Sequence, residues 1–98
     1  MSTKLDFEVD RLLREAARIL RTGEWGQGLN FGVWCMMSAM QEASYRTQGD
    51  SRAYWRSLPR LGFASALDGV HWNDEPGRTV GEVIARLEGA VWADVVEA

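Results

Sequence analysis

The 98-residue chain holds one cysteine, one histidine and two prolines, and its apolar runs are short. With Cys35 alone, an internal disulfide and a multi-cysteine metal site are excluded, and with His71 alone so is a multi-histidine site. The longest apolar stretch, Val33–Met37, falls far below the roughly 20 residues of a membrane-spanning helix. The N-terminal Met-Ser-Thr-Lys-Leu-Asp has no apolar segment after a positive one, so no secretory signal is evident. These absences lead us to expect a cytoplasmic protein with no membrane contact, no metal and no cofactor. A basic excess is missing too. Eleven Lys and Arg against fourteen Asp and Glu give a formal charge of −3, which argues against general nucleic-acid binding.

What is present is ordinary in bulk and uneven in detail. Hydrophobic residues at 46% and charged residues at 26% are globular proportions, and this length suits a single domain, residues 1–98, around one modest core. Five tryptophans are many for so short a chain. Each carries a large apolar surface and one N–H that needs a partner when buried, so some should build the core and one or two should serve a partner surface. Charge is segregated. Between Arg46 and Arg60, four arginines face Asp50 alone, whereas from Asp68 onward seven acids face only Arg78 and Arg86.

Apolar periodicity predicts an all-α fold, a bundle of four to five helices. Leu5, Val9, Leu12, Leu13, Ala16, Ile19 and Leu20 fall on one stripe, giving a helix over about 6–22 with Arg11–Glu15 and Asp10–Arg14 paired on the far side and Gly23 ending it in a left-handed conformation. Gly23 to Gly28 then reads as a helix stop and turn that folds Trp25 onto the core, since a phosphate cradle would need a preceding strand and a following Gly-Lys-Ser/Thr. Asn30 is placed to cap a second helix over 31–45, apolar nearly all round and so suited to the bundle centre. Asp50 is placed to cap a short helix over 51–57, interrupted by Pro59, and a fourth is expected over 61–68, closing near Gly69. Thr79-Val80-Gly81-Glu82 fits a capping box opening a last helix over 80–96, in which Gly89 would let a neighbouring helix approach closely.

Three groups of residues have chemical potential. Cys35, His71 and Asn73 or Asp74 contain the parts of a cysteine-nucleophile site, but a thiol set among Trp34, Met36 and Met37 reads better as an inert core residue. Arg52, Arg56 and Arg60 recur every four residues with Tyr54 and Trp55 between them. Such a set reads first as a solvated face paired with the acidic C-terminal half, next as a protein interface, in which Trp, Tyr and Arg dominate the energetics, and last as a grip on phosphates and stacked bases. In Trp72-Asn73-Asp74-Glu75-Pro76-Gly77-Arg78-Thr79, Pro-Gly marks a turn and Asn and Asp bond nearby backbone. We read this stretch as a polar clamp on the last helix, with Trp72 packed beneath the turn and Arg78 paired to Asp74 or Glu75. The functional reading of the same stretch is a recognition loop.

Trp-Asn-Asp-x-Pro-Gly-Arg-Thr before an amphipathic helix resembles the C-terminal signature of a family of unknown function found in actinobacteria and their phages. Leu13-Arg14-Glu15-Ala16-Ala17 through Trp25-Gly26-Gln27-Gly28 is similar to that family's opening helix and Trp-x-Gln-Gly turn. Trp34 to Met40 is similar to its central Cys-x-x-Gly-Ala-Leu segment, with Ser38 in place of the glycine. The resemblance implies a fold and an origin and carries no activity. The expectation is therefore a small protein–protein interaction or regulatory accessory module, of phage or prophage origin, that binds a host protein or a second copy of itself as a homodimer. A nucleic-acid-binding regulator using Arg46–Arg60 is the alternative, and a cysteine-dependent enzyme the second.

Overall fold

In the computed structural model, which describes residues 3–28 and 32–92, the chain forms five helices: α1 Lys4–Thr22, α2 Met36–Thr47, α3 Arg52–Arg60, α4 Ala66–Asn73 and α5 Val80–Gly89. Among these residues there is no strand, only an isolated bridge between Trp25 and Trp34. The fold class is all-α, as the periodicity predicts.

The long α1 is the centre of the bundle. It packs against α2, α3 and α5, while α4 lies on α2. Its stripe Val9, Leu12, Leu13, Ala16, Ile19 and Leu20 meets Met36, Met40 and Ala43 of α2, Leu58 of α3 and Val83 and Leu87 of α5 in one buried cluster. The predicted central position of α2 is corrected: only one side of it is buried, and Tyr45 on the other is 78% exposed. On the polar side of α1, Arg11 donates to the Thr47 carbonyl instead of pairing with Glu15, which binds Arg18 and Arg46.

Helix boundaries follow the caps. Thr3 and Asp6 form a capping box, so α1 starts at Lys4, two residues before the expected start. Gly23 is extended rather than left-handed; a Cβ there would come within 2.9 Å of the Trp34 ring, so the glycine serves a close approach. The expected cap Asn30 and its neighbour Phe31 lie outside the described residues. Before α2 the chain is held extended, because the Trp34 N–H donates to Glu24 O (2.6 Å) and the Gly26 N–H to Trp34 O (3.0 Å). Helix α2 therefore begins only at Met36, with Cys35 as its cap.

Asp50 accepts the Arg52 N–H at 2.9 Å, which orders the start of α3 although Ser51 holds the cap position. Pro59 does not stop this helix at Ser57; it sits in the last turn, which runs to Arg60. The fourth helix is displaced from the predicted 61–68 to Ala66–Asn73, with Ser65 accepting the Asp68 N–H as its cap. Leu61-Gly62-Phe63 instead closes α3, where Gly62 adopts φ 87° and the Phe63 N–H returns to Leu58 O. Gly69 is buried inside α4, where a Cβ would lie 2.7 Å from Met37 Cε. It is a contact glycine, not a stop. Helix α5 opens on the predicted Thr79–Glu82 capping box and ends at Gly89, well before the expected residue 96. Among the described residues nothing lies within 4 Å of a Cβ placed at Gly89, so none of these helices approaches there, and residues 93–96 lie outside the described residues.

Candidate functional site

Asn73, fully buried at the end of α4, joins three separate segments. Its Oδ1 accepts the Trp25 indole N–H (2.7 Å) and the Met36 backbone N–H (3.0 Å). Its Nδ2 donates to Gly26 O (3.2 Å) and to Asp74 Oδ1 (3.0 Å). Two acceptor lone pairs and two N–H groups are thus all used, the full capacity of an amide. Around this node Gln27 donates to the carbonyls of Asn73 and Glu75, both at 2.9 Å, and the Gly28 N–H donates to Asp74 Oδ1 at 2.9 Å. The Gly28 N–H and then the Asn73 amide hold the Asp74 carboxyl below the ordinary aspartate value, against the opposing effect of burial.

The rest of the stretch is an arginine–aromatic stack. The Arg78 guanidinium lies 3.8 Å over the half-buried Trp72 ring and donates to Trp72 O at 2.9 Å, with Glu82 at 3.8 Å. The expected pairing of Arg78 with Asp74 or Glu75 is corrected: the cation serves the ring and the helix end beneath it. Arg86 lies 4.5 Å over Phe63 and 4.7 Å over Trp72 while capping Leu61 O. Trp72, Asn73, Asp74, Arg78 and Thr79 therefore hold together the 25–28 turn and the starts of α2 and α5. Gln27, Met36 and Arg86 belong to the same assembly and were missed by sequence reasoning. Only Gln27 had a signal, the Trp-x-Gln-Gly turn.

The other candidate set is split by the fold. Arg52 is exposed and bound to Asp50 at 2.6 Å; its guanidinium, then its N–H, hold the Asp50 carboxyl down at about 2. Tyr54 is buried, its hydroxyl 3.8 Å from Met37 Sδ, and it supports Trp55 edge-on at 4.9 Å. Trp55 is 63% exposed and Arg56 is exposed beside it. Arg60 is not a surface residue. Its side chain is 4% exposed and pairs with buried Asp10 at 2.5 Å. Each four-residue step advances about 400° round a helix, so Arg60 stands about 80° round from Arg52 and points into the bundle. Trp55 and Tyr54 line a groove of about 370 Å³ with Gln41, Ser44, Ser51 and Ala66. Exposed Tyr45 and Leu67 adjoin Ser44 and Ala66 in the chain.

The thiol of Cys35 accepts the Ser38 N–H at 3.3 Å while Ser38 Oγ accepts the Cys35 N–H at 2.9 Å, a capping box in which sulfur takes the place of a hydroxyl. His71 is exposed on α4, and no hydrogen bond joins it to Cys35. Among the described residues no group of three His, Cys, Asp or Glu is placed to hold a metal ion, and no helix is long and apolar enough to cross a membrane.

Fold and site define a small all-α protein, with five helices among the described residues, closed by an asparagine-centred clamp and bearing an uncharged aromatic groove between α2 and α3. The chain belongs to a family of unknown function, DUF6197, whose sequence model matches residues 5–91. No curated protein and no solved structure gives a significant match to it.

Proposed function

We propose that the protein is a small interaction module, a regulatory or accessory protein that binds a host protein or a second copy of itself through the face around Trp55. The observation that carries this reading is the exposed indole of Trp55 beside a groove with no charged lining residue, with exposed Tyr45 and Leu67 next in the chain to its lining residues Ser44 and Ala66. Large aromatic surface on a monomer is costly in water and is the material of interface hot spots. The resemblance of the Trp72–Thr79 stretch to proteins of actinobacteria and their phages suggests a phage or prophage source and a cytoplasmic site of action.

The basic segment supports a nucleic-acid reading less well. Arg60 is buried, Arg52 is bound to Asp50 and Arg46 to Glu42 and Glu15, so the row is largely neutralised within the chain. We also read the chain as a binding protein rather than an enzyme, since the Cys35 thiol is engaged as a helix cap. The test is light scattering across a concentration series, together with capture by immobilised wild-type, Trp55→Ala and Tyr45→Ala proteins. The reading expects either self-association or a captured protein that both substitutions release. A strict monomer whose captured set is unchanged by both substitutions overturns it.

A further inference from the structure

Beyond the helices, residues 90–92 cross back to the junction of α1 and α3, where one guanidinium holds them. Arg60 Nη1 donates to Asp10 Oδ1 (2.5 Å) and to Ala90 O (3.1 Å), and Nη2 donates to Asp6 O (2.9 Å). The same Asp10 oxygen accepts the Trp92 backbone N–H at 2.9 Å, and the Trp92 ring lies 3.6 Å over the Arg60 guanidinium. An ion pair whose side chains are 3% and 4% exposed is thus closed off by three residues that follow the last helix.

We propose that Ala90-Val91-Trp92 is a releasable strap, which opens as a unit while α1, α2, α4 and α5 stay folded and whose opening frees the last turn of α3. Three features favour local opening. The strap contributes little apolar burial, since Ala90 is small, Val91 is half-buried and Trp92 is already 59% exposed. Opening returns two buried charges to water, and that hydration offsets much of the lost attraction. The indole also borders a cavity of about 240 Å³ with Asp6, Arg56 and Pro59, so it is not packed on every side. The turn that would be freed is closed by irregular backbone bonds, although Leu61 and Phe63 are buried and Arg86 donates to Leu61 O. Pro59 supplies no N–H there, and Leu61, Gly62 and Phe63 close the helix through bonds to Ser57, Pro59 and Leu58. Segments with few buried contacts open well below the global unfolding free energy. Because α3 also carries Trp55, the strap is placed to control how firmly that helix is held.

Amide hydrogen exchange on the full chain tests this, comparing the wild type with Trp92→Ala, a substitution at a largely exposed ring. In the wild type the Trp92 amide should exchange at least about 100-fold faster than those of Leu13 and Met40. In the variant, exchange at Leu61, Gly62 and Phe63 should rise about tenfold together with that at 91 and 92, with Leu13 and Met40 unchanged. Asp10→Asn should give the same pattern if it folds. Trp92 protected as well as the core overturns the proposal, as does acceleration confined to 91 and 92, which is mere fraying. An equal rise in every helix overturns it too, since opening would then be global.

Discussion

Arginine and tryptophan lie together around Asn73, at Arg60–Trp92 and on the outer side of α3, and the first and last of these regions do opposite things. Around Asn73, the Trp72 ring carries the Arg78 guanidinium at 3.8 Å, the Trp25 N–H is bonded, and the amide at the centre has no spare donor or acceptor. On the outer side of α3, Trp55 stands 63% exposed with Arg52 and Arg56 at its flanks, and only Tyr54 beneath it is buried. The same residue types are saturated by the chain itself in one place and left facing solvent in the other. A saturated polar node stabilises and specifies a fold, whereas unsatisfied aromatic surface is free to bind. Breaking the first should therefore cost stability, and breaking the second should not.

The largest effect is expected at the node. Asn73→Ala leaves the buried Met36 N–H and the Trp25 indole N–H without an acceptor and releases Gly26 O. One or two unsatisfied groups of this kind give a destabilisation of about 2–4 kcal/mol. Urea unfolding followed by far-UV circular dichroism should show the midpoint fall with the slope unchanged. A loss below about 0.5 kcal/mol, the scale of an ordinary surface substitution, would show that the bonds to Asn73 are replaceable by water.

A step down is Thr79→Ala, which removes the side-chain oxygen that accepts the Glu82 N–H at 3.2 Å. The cap is exposed and Glu82 still reaches the residue 79 N–H at 2.9 Å, so the expected loss is about 1 kcal/mol. In the same unfolding experiment it should rank clearly below Asn73→Ala. Equal losses would mean that the clamp acts through the start of α5 rather than through the amide.

The two regions also differ in how far they are legible in sequence. Local signals read well: Thr79-x-x-Glu82 marks the start of α5, and the period of α1 gives its buried stripe. Thr3-x-x-Asp6 was equally local, but aspartate in place of glutamate hid the box. Legibility fails where a distant partner decides. Cysteine is no usual cap, and Trp34 is drawn into an extended bridge by Glu24 and Gly26, so α2 starts five residues late. Gly69 looks like a helix stop and is instead the bed for Met37. The regular spacing of Arg52, Arg56 and Arg60 cannot reveal that Asp10, fifty residues before Arg60, claims the last of them. Within the clamp the residue types are legible, while Trp25, Gln27 and Met36 as their partners depend on the fold.

Acid should weaken the clamp in a defined direction. The Asp74 carboxyl is held below its ordinary value of 3.8 by the Gly28 N–H and the Asn73 amide. A depressed folded value means stability that is present above the unfolded value and lost as pH falls below it, because the unfolded chain then takes up the proton more readily. Asp50, Asp6, Glu15 and Glu88 are depressed as well, so the whole protein weakens in acid. Asp74→Asn isolates one contribution. The wild type should be more stable than the variant at about pH 7, and their unfolding midpoints should converge towards about pH 3. A constant gap would trace the effect to geometry instead of charge.

The smallest expected stability effect is the sharpest test of the contrast. Trp55→Ala removes a ring that is mostly in water and whose main intramolecular contact is the edge of Tyr54 at 4.9 Å. Tyr54 keeps its place through its own burial and its contact with Met37, so the cavity term that dominates core truncations is absent. The change in unfolding free energy should stay within about 0.5 kcal/mol, the range of ordinary surface substitutions. Retention of a partner, or of a self-associated form, should fall sharply in the same preparation. If Trp55→Ala instead destabilises the chain as Asn73→Ala does, its indole is a structural support, and the distinction between a closed node and an open face fails.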